Sequence, residues 1–326
     1  MQALVVASLS ADLSGTGIAE LPVPVRVAGQ VLVQVRATSL NFPDLLMTRG
    51  EYQLKPPLPF IPGMEISGTV VETDPDSGFA IGDRVVGSCR LGGMAEFAAI
   101  DATLLRKLPP GIDHATAASF AAAYHTAYVA LVELGGLQPG QWVLVHGASG
   151  GVGLAAVDLA KAMGARVIAA STSAEKLKVI AESYRPDATL LATGRFRDAV
   201  QEITGGGLAD LVYDPVGGDI FDESTRCVAF GGKLLVIGFT SGRIPAISVN
   251  IPLIKGFSVV GVRAGEFGRR FPERGIAVRE ALFRLLEDGM LHPRVDRVLP
   301  LSHWREAFDA MAARKIIGKV VLIPGT

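Results

Sequence analysis

The stretch that most constrains this chain is "VLVHGASGGVG", Val143 to Gly153. An apolar run ends in a glycine-rich turn. An amphipathic segment, "GLAAVDLAKAMG" (153–164), follows at once and stops at Gly164. Strand, glycines, then helix is the order in which such a turn cradles a phosphate. Read from Ala148, the turn is A-x-G-x-x-G, and it departs from the dinucleotide fingerprint only at its first glycine. Gly150 lets the backbone come close to a pyrophosphate, and Gly153 lets the helix pack tightly on the strand. The helix start then offers free N–H groups and partial positive charge to an anion. A dinucleotide is therefore expected on Ala148, Ser149, Gly150, Gly151, Val152 and Gly153.

The second strand, "RVIAAS" (166–171), decides which dinucleotide. An NAD site wants a carboxylate at this tip, roughly 20 residues after the glycines, for the ribose hydroxyls. Here the tip reads "AASTSAEK": Ser171 stands in the carboxylate's place, and Ser173 and Lys176 follow. Hydroxyls and an ammonium hold a 2′-phosphate that an acid would repel, so NADPH is favoured over NADH. Glu175, close by, pulls the other way.

The 326 residues exceed what one domain usually needs, and 49% of them are hydrophobic, so two domains with sizeable cores are expected. A net charge of −1 gives no basic excess, so nucleic acid is not an expected partner. No long apolar stretch lacks polar breaks, and no membrane span is expected. Only Cys89 and Cys227 occur. That excludes a disulfide framework and suits a reducing, cytoplasmic setting.

The first third holds short strand-like runs between Gly and Pro turns: "VLVQVRATSL" (31–40), "ISGTVVET" (66–73) and "DRVVGSC" (83–89). It reads as a small, mostly β unit. The Ala-rich stretch 114–134 is helical in character. Strands and helices then alternate through "AEKLKVIAES" (174–183), "DLVYDPVGG" (210–218) and "KLLVIGFTSG" (233–242), which predicts a parallel, doubly wound α/β sheet. Helices are expected in 277–291 and 303–313, and a last strand in "GKVVLIP" (318–324).

These segments, with "SLNFPDLLMTRGEYQLKPPLPFIPGMEISGTVVE" (39–72), "IGDRVVG" (81–87) and "AASFAAAYHTAYVAL" (117–131), resemble the medium-chain dehydrogenase/reductase superfamily. Within it they are similar to the zinc-free, zeta-crystallin-like quinone oxidoreductases. The resemblance covers almost the whole chain. It implies a GroES-like, β-barrel-type catalytic domain over 1–120 and 263–326, and a Rossmann domain over 121–262. It places the active site in the cleft between them. It also implies a homodimer built on an edge strand of the Rossmann sheet, with "IPAISVNI" (244–251) as the candidate edge.

Zinc-dependent relatives carry Cys, His and Cys where this chain has Asn41 ("NFPD"), Met64 ("GME") and Ala122. A catalytic zinc needs about three N, S or O ligands and an open position, so no zinc is expected. Glu65 alone cannot hold one and is expected as a buried, hydrogen-bonded carboxylate. The five histidines lack ligand-type spacing. A hydride must then reach an acceptor that is already electrophilic, such as a quinone or an α,β-unsaturated carbonyl.

The resemblance carries further roles over. Asn41 is implied to lie near the nicotinamide ribose and substrate as a hydrogen-bonding group. Tyr52 faces the cleft as a donor or as an aromatic wall, and Leu46 stands where some relatives have a tyrosine. Thr126 hydrogen-bonds near the nicotinamide or its phosphates, or back to its own helix. Gly238 and Phe239 end a strand at the ligand edge of the sheet, and Val262 and Arg263 sit at the return crossing. Arg263 meets an anionic part of the substrate or an acidic neighbour. Lys319 reaches a cofactor phosphate or is a surface lysine. The basic stretch "GEFGRRFPERG" (265–275) is expected as a solvated loop. As a lid, its Arg269, Arg270 and Arg274 would favour an anionic acyl-CoA.

The expectation is an NADPH-dependent quinone or enone reductase. The alternatives are an enoyl-thioester reductase on the same scaffold, and an NADPH-binding protein with a structural, crystallin-like or nucleic-acid-binding role.

Overall fold

The computed structural model describes residues 1–325; Thr326, at the end of the expected catalytic domain, lies outside the described residues. The strands, in chain order, are β1 (Gln2–Val6), β2 (Thr16–Glu20), β3 (Gln30–Ser39), β4 (Glu65–Glu72), β5 (Arg84–Ser88), β6 (Phe97–Asp101), β7 (Leu105–Lys107), β8 (Trp142–Val145), β9 (Arg166–Ser171), β10 (Ala188–Leu191), β11 (Ala209–Asp214), β12 (Val228–Val236), β13 (Ser258–Gly261), β14 (Val295–Pro300) and β15 (Lys319–Ile323). Two compact units emerge. One comprises Met1–Ala122 with residues 293 onward, and the other Ala123–His292.

The first unit is built on a seven-stranded sheet: six strands follow the path β14-β15-β3-β4-β5-β7, and β6 pairs with β3 beside it. β1 and β2 form a separate antiparallel pair. Alternate residues of β3, Val31, Val33 and Val35, point into one core with Ile66, Val70, Val85 and Ile100. A second core gathers Leu4, Leu40, Leu45, Met94, Trp304, Phe308 and Leu322. The last strand of the chain thus joins a sheet begun by β3: Val321 and Leu322 of β15 pair with Ser39 and Thr38 of β3.

The second unit is a six-stranded sheet in the order β10-β9-β8-β11-β12-β13, with every neighbour parallel. That is the doubly wound order, and the strand sequence reverses between β8 and β11. Its strands are apolar on both faces, as a sheet covered by helices requires. Val143, Leu144, Val145, Val167, Ile168, Val212 and Leu234 are all fully buried. Helices Gly151–Ala162, Ala174–Tyr184, Arg197–Ile203 and Gly218–Ser224 follow their strands with short connections. Among the described residues no helix is long and apolar enough to cross a membrane.

Three expectations change. Residues 263–292 belong to the second unit, so the chain returns near 292 and not at Val262 and Arg263. The reason is local packing. Arg274 pairs with Glu133 and stacks over Phe267 at 4.7 Å and Phe271 at 5.5 Å, all within that unit. The stretch 265–275 is also not a loop: it forms helices Ala264–Arg270 and Pro272–Glu287. Its glycines are packing residues. A Cβ on Gly275 would lie 2.9 Å from the Cα of Gly268, so the two helices cross where neither has a side chain. Its arginines are already paired, Arg269 and Arg270 with Glu266 and Arg274 with Glu133. That removes the electrostatic reason for an anionic lid. Finally, "IPAISVNI" is not an edge strand. Its first residues run outside any ladder and helix Asn250–Lys255 begins within it; β13 and β10 form the sheet edges.

Gly275→Val forces a branched side chain against the Gly268 backbone. Overpacking of this kind costs about 1–3 kcal/mol. The variant is expected to unfold several degrees below the native chain in thermal denaturation, and an unchanged midpoint contradicts the crossing.

Candidate functional site

In the second unit the glycine turn has the geometry of an anion cradle. Helix Gly151–Ala162 starts with Gly150 at its N-cap and no side-chain cap. The first helical bond runs from the Leu154 N–H to the Gly150 carbonyl at 2.8 Å. The N–H groups of Gly151, Val152 and Gly153 therefore have no acceptor among the described residues. Gly153 is a steric necessity, since a Cβ there would sit 2.2 Å from the Gly147 carbonyl oxygen. At Gly150 the nearest atom to a Cβ is 3.4 Å away, so the protein itself permits a side chain and only a close ligand would forbid it. Ala148 and Ser149 are buried beneath the turn, and the Ala148 N–H donates to Ala170 of β9 at 3.0 Å.

The tip of β9 carries no acid. Ser171 is buried, and its Oγ accepts from the Ser173 N–H at 3.3 Å. Ser173 caps helix Ala174–Tyr184, its Oγ accepting from the Lys176 N–H. Both serines keep a hydroxyl proton to give. Glu175 is exposed in the first turn of that helix.

The "DPVGG" turn, which no short-range motif marks as a site element, lies against the glycine turn. Gly147 meets Pro215 and Val216, whose side chains lie 3.3 Å from where its Cβ would be. Phe239 lies over Gly217, and the Thr240 N–H donates to the Pro215 carbonyl. The carboxyl ends of β8, β11 and β12 thus converge, and Gly238 and Phe239 are among them. Asp214 is fully buried. Its Oδ1 accepts from the Val216 and Gly217 N–H groups at 2.8 and 3.0 Å, while Oδ2 has no partner among the described residues, and burial raises its pKa. Its place at the strand end next to glycines was the available signal. The Val262 N–H donates to Val236 at 2.9 Å, and Arg263 holds the N-cap position of helix Ala264–Arg270, its carbonyl accepting from the Glu266 N–H. Thr126 is half-buried on helix His114–Tyr128.

In the first unit Asn41 belongs to a buried polar cluster. Glu65 is 0% exposed. Its Oε1 accepts from the Ser39 hydroxyl, from Asn41 Nδ2 at 3.0 Å and from Lys319 Nζ at 2.8 Å. Its Oε2 accepts from the Ala122 N–H at 2.7 Å. Lys319 Nζ also donates to Asn41 Oδ1 at 2.6 Å. Lys319 is therefore neither a surface lysine nor one directed to a phosphate: its ammonium has two partners inside this cluster. Asp44, also fully buried, accepts from the Asn41 and Gly63 N–H groups at 2.8 and 2.9 Å. Burial raises its pKa to about 6. Tyr52 packs against Met47 and Phe60 in an apolar cluster that also takes in Leu54 and Met64, the residue before Glu65.

The donor set does not suit a catalytic zinc. Asn41, Met64 and Ala122 supply neither thiolate nor imidazole, and Glu65 is taken up by four donors, one of them an ammonium.

Asp44 makes this cluster sensitive to pH. A carboxyl raised from 3.8 to about 6 binds more protons folded than unfolded, so its contribution to stability falls as pH rises through that window. Asp44→Asn removes the dependence. The stability of the native chain relative to the variant is expected to fall by about 2 kcal/mol from pH 4 to pH 6.5 in denaturant titrations. A relative stability that rises over this window contradicts the assignment.

Comparison with known proteins agrees with the fold. Residues 27–110 match the alcohol dehydrogenase GroES-like domain, and residues 151–278 match the model described as zinc-binding dehydrogenase. A quinone oxidoreductase-like protein 2 homolog of Nematostella vectensis is 41% identical over 300 residues, covering 90% of this chain and 81% of the relative. A probable oxidoreductase from Mycobacterium abscessus superposes with a TM-score of 0.90 at 37% identity, covering 99% of each chain. A mycobacterial protein solved as its NADPH complex gives a TM-score of 0.92 at 30% identity, covering 99% of this chain and 100% of the other. The chain belongs to the quinone oxidoreductase-like family of the medium-chain dehydrogenase/reductase superfamily.

Proposed function

We propose that the chain is an NADPH-dependent reductase of quinones or α,β-unsaturated carbonyls that works without a metal. The observation that carries this reading is the cradle of donor amides at Gly151, Val152 and Gly153, combined with an acid-free tip on β9. Ala148, Ser149 and Gly150 to Gly153 would hold the pyrophosphate. Ser171, Ser173 and Lys176 would hold the 2′-phosphate, the serines through their free hydroxyl protons and the lysine through its charge. Thr126, Gly238, Phe239, Val262 and Arg263 are proposed along the rest of the cofactor. The mycobacterial neighbour's NADPH complex supports the assignment.

A bound dinucleotide would supply a hydride. For an enone the hydride adds to the β-carbon, and the electron pair moves onto the carbonyl oxygen as an enolate. A proton then adds at the α-carbon, so enone, NADPH and H⁺ give saturated ketone and NADP⁺. With Asn41, Met64 and Ala122 at the ligand positions, the acceptor must be electrophilic unaided. Asn41 and Tyr52 are the groups proposed to donate hydrogen bonds to the developing oxyanion. The enoyl-thioester alternative loses the support of Arg269, Arg270 and Arg274, which are paired within the chain.

A homodimer is part of the proposal. β13 presents an open edge, and large apolar side chains beside it are exposed: Phe230 by 89%, Leu253 by 80% and Ile254 by 75%. Isolated exposed apolar residues are ordinary, but a group at a bare sheet edge invites a partner. The two free thiols, Cys89 and Cys227, suit a cytoplasmic setting.

Lys176→Ala is expected to raise the KM for NADPH roughly tenfold or more, the worth of a charge-assisted hydrogen bond, and to leave NADH turnover unchanged. The check is steady-state oxidation of each cofactor with a benzoquinone acceptor; equal native rates with NADH sink the 2′-phosphate reading. Leu253→Asp with Ile254→Asp is expected to convert a dimer to a monomer in sedimentation velocity. A native chain that sediments as a monomer contradicts the dimer.

A further inference from the structure

Lysine is almost never fully buried unless paired, yet Lys319 on β15 is only 6% exposed. Its two partners are the carboxylate of Glu65 and the carboxamide oxygen of Asn41. Glu65 in turn accepts from Asn41 Nδ2. The amide is thus held at both ends. Turned over, it would face its NH₂ to an ammonium and its oxygen to a carboxylate, and both contacts would repel.

We infer that Lys319 is a positioning residue, whose ammonium fixes Asn41 in the one orientation that presents an N–H donor to a ligand oxygen. One Nδ2 proton goes to Glu65. The other has only the Ser39 carbonyl at 3.4 Å, a long and weak contact, and is the proton left to give. An ammonium on the carbonyl oxygen draws electron density from the amide and strengthens that donor. The ligand atom that Asn41 recognises is then an acceptor oxygen, such as an enolate, a quinone carbonyl or a ribose hydroxyl. The kinetic part of this inference rests on the proposed reductase reading; the orientation of Asn41 does not.

Two measurements separate the two. In the first, kcat with a benzoquinone acceptor and the Kd for NADPH by fluorescence are compared for the native chain, Lys319→Met, Lys319→Arg, Asn41→Ala and Asn41→Ala/Lys319→Met. Lys319→Met is expected to lower kcat tenfold or more and to change the Kd by less than threefold. Lys319→Arg is expected to recover most of the loss. In the Asn41→Ala background Lys319→Met is expected to cost nothing further. An equal loss in that background overturns the inference. Should Lys319→Met fail to fold around an unpaired Glu65, the same comparison runs between Glu65→Gln and Glu65→Gln/Lys319→Met.

The second measurement needs no turnover. The side-chain NH₂ of Asn41, assigned in ¹⁵N-labelled protein by its loss in Asn41→Ala, is expected to give two inequivalent proton signals. Their separation should collapse toward that of a free amide in Lys319→Met and persist in Lys319→Arg. Signals unchanged in Lys319→Met overturn the inference whether or not the protein proves to be a reductase. Absent quinone or enone turnover by the native chain, with the Lys319-dependent signals intact, overturns only the reductase reading.

Discussion

The first unit depends on one buried carboxylate. Glu65 lies at the start of β4, and its four donors come from the end of β3, from the "NFPD" segment, from β15 and from helix His114–Tyr128. A charge removed from water is tolerated only when its lone pairs are satisfied and an opposite charge is near. Glu65 meets both conditions, because β15 returns from the far end of the sequence and brings Lys319 with it. Removing one partner of such a pair typically costs about 3–5 kcal/mol, since the other charge is left buried and alone. The return of the chain, the position of Asn41 and the character of the site therefore follow from one ion pair.

The second unit is governed by a steric constraint. The Gly147 carbonyl and Gly153 approach so closely that no side chain fits between them. That approach seats the helix on β8 and leaves its first amides without acceptors among the described residues. The convergence of β8, β11 and β12 there puts the "DPVGG" turn against the glycine turn, and Asp214 braces it through two backbone bonds. The two units bring different chemistry. One offers neutral backbone donors suited to phosphate, and the other a carboxamide fixed between opposite charges.

Much of this was legible in the sequence because it rests on local pattern. Strand alternation, the glycine turn and the acid-free "AASTSAEK" tip are all short-range signals, as was the absence of thiolate and imidazole at Asn41, Met64 and Ala122. What the sequence hid depends on distant partners. Lys319 read as a surface residue because its carboxylate lies some 250 positions earlier, a separation no periodicity reports. Gly268 and Gly275 read as loop glycines because the surface each one opens belongs to the other's helix. The arginines beside them read as free charge until Glu133 and Glu266 came within reach. The "DPVGG" turn was visible as a motif, but its contact with Gly147 was not.

The proposed reaction passes hydride from NADPH to an acceptor that needs no metal to activate it. The most direct test is a single turnover of chelator-treated protein with NADPH deuterated at both positions of C4 and a small enone, the product being read by mass spectrometry and NMR. The account predicts one deuterium at the β-carbon, a solvent proton at the α-carbon and the same rate when zinc is added back. Product without deuterium, or a rate restored only by zinc, would contradict it.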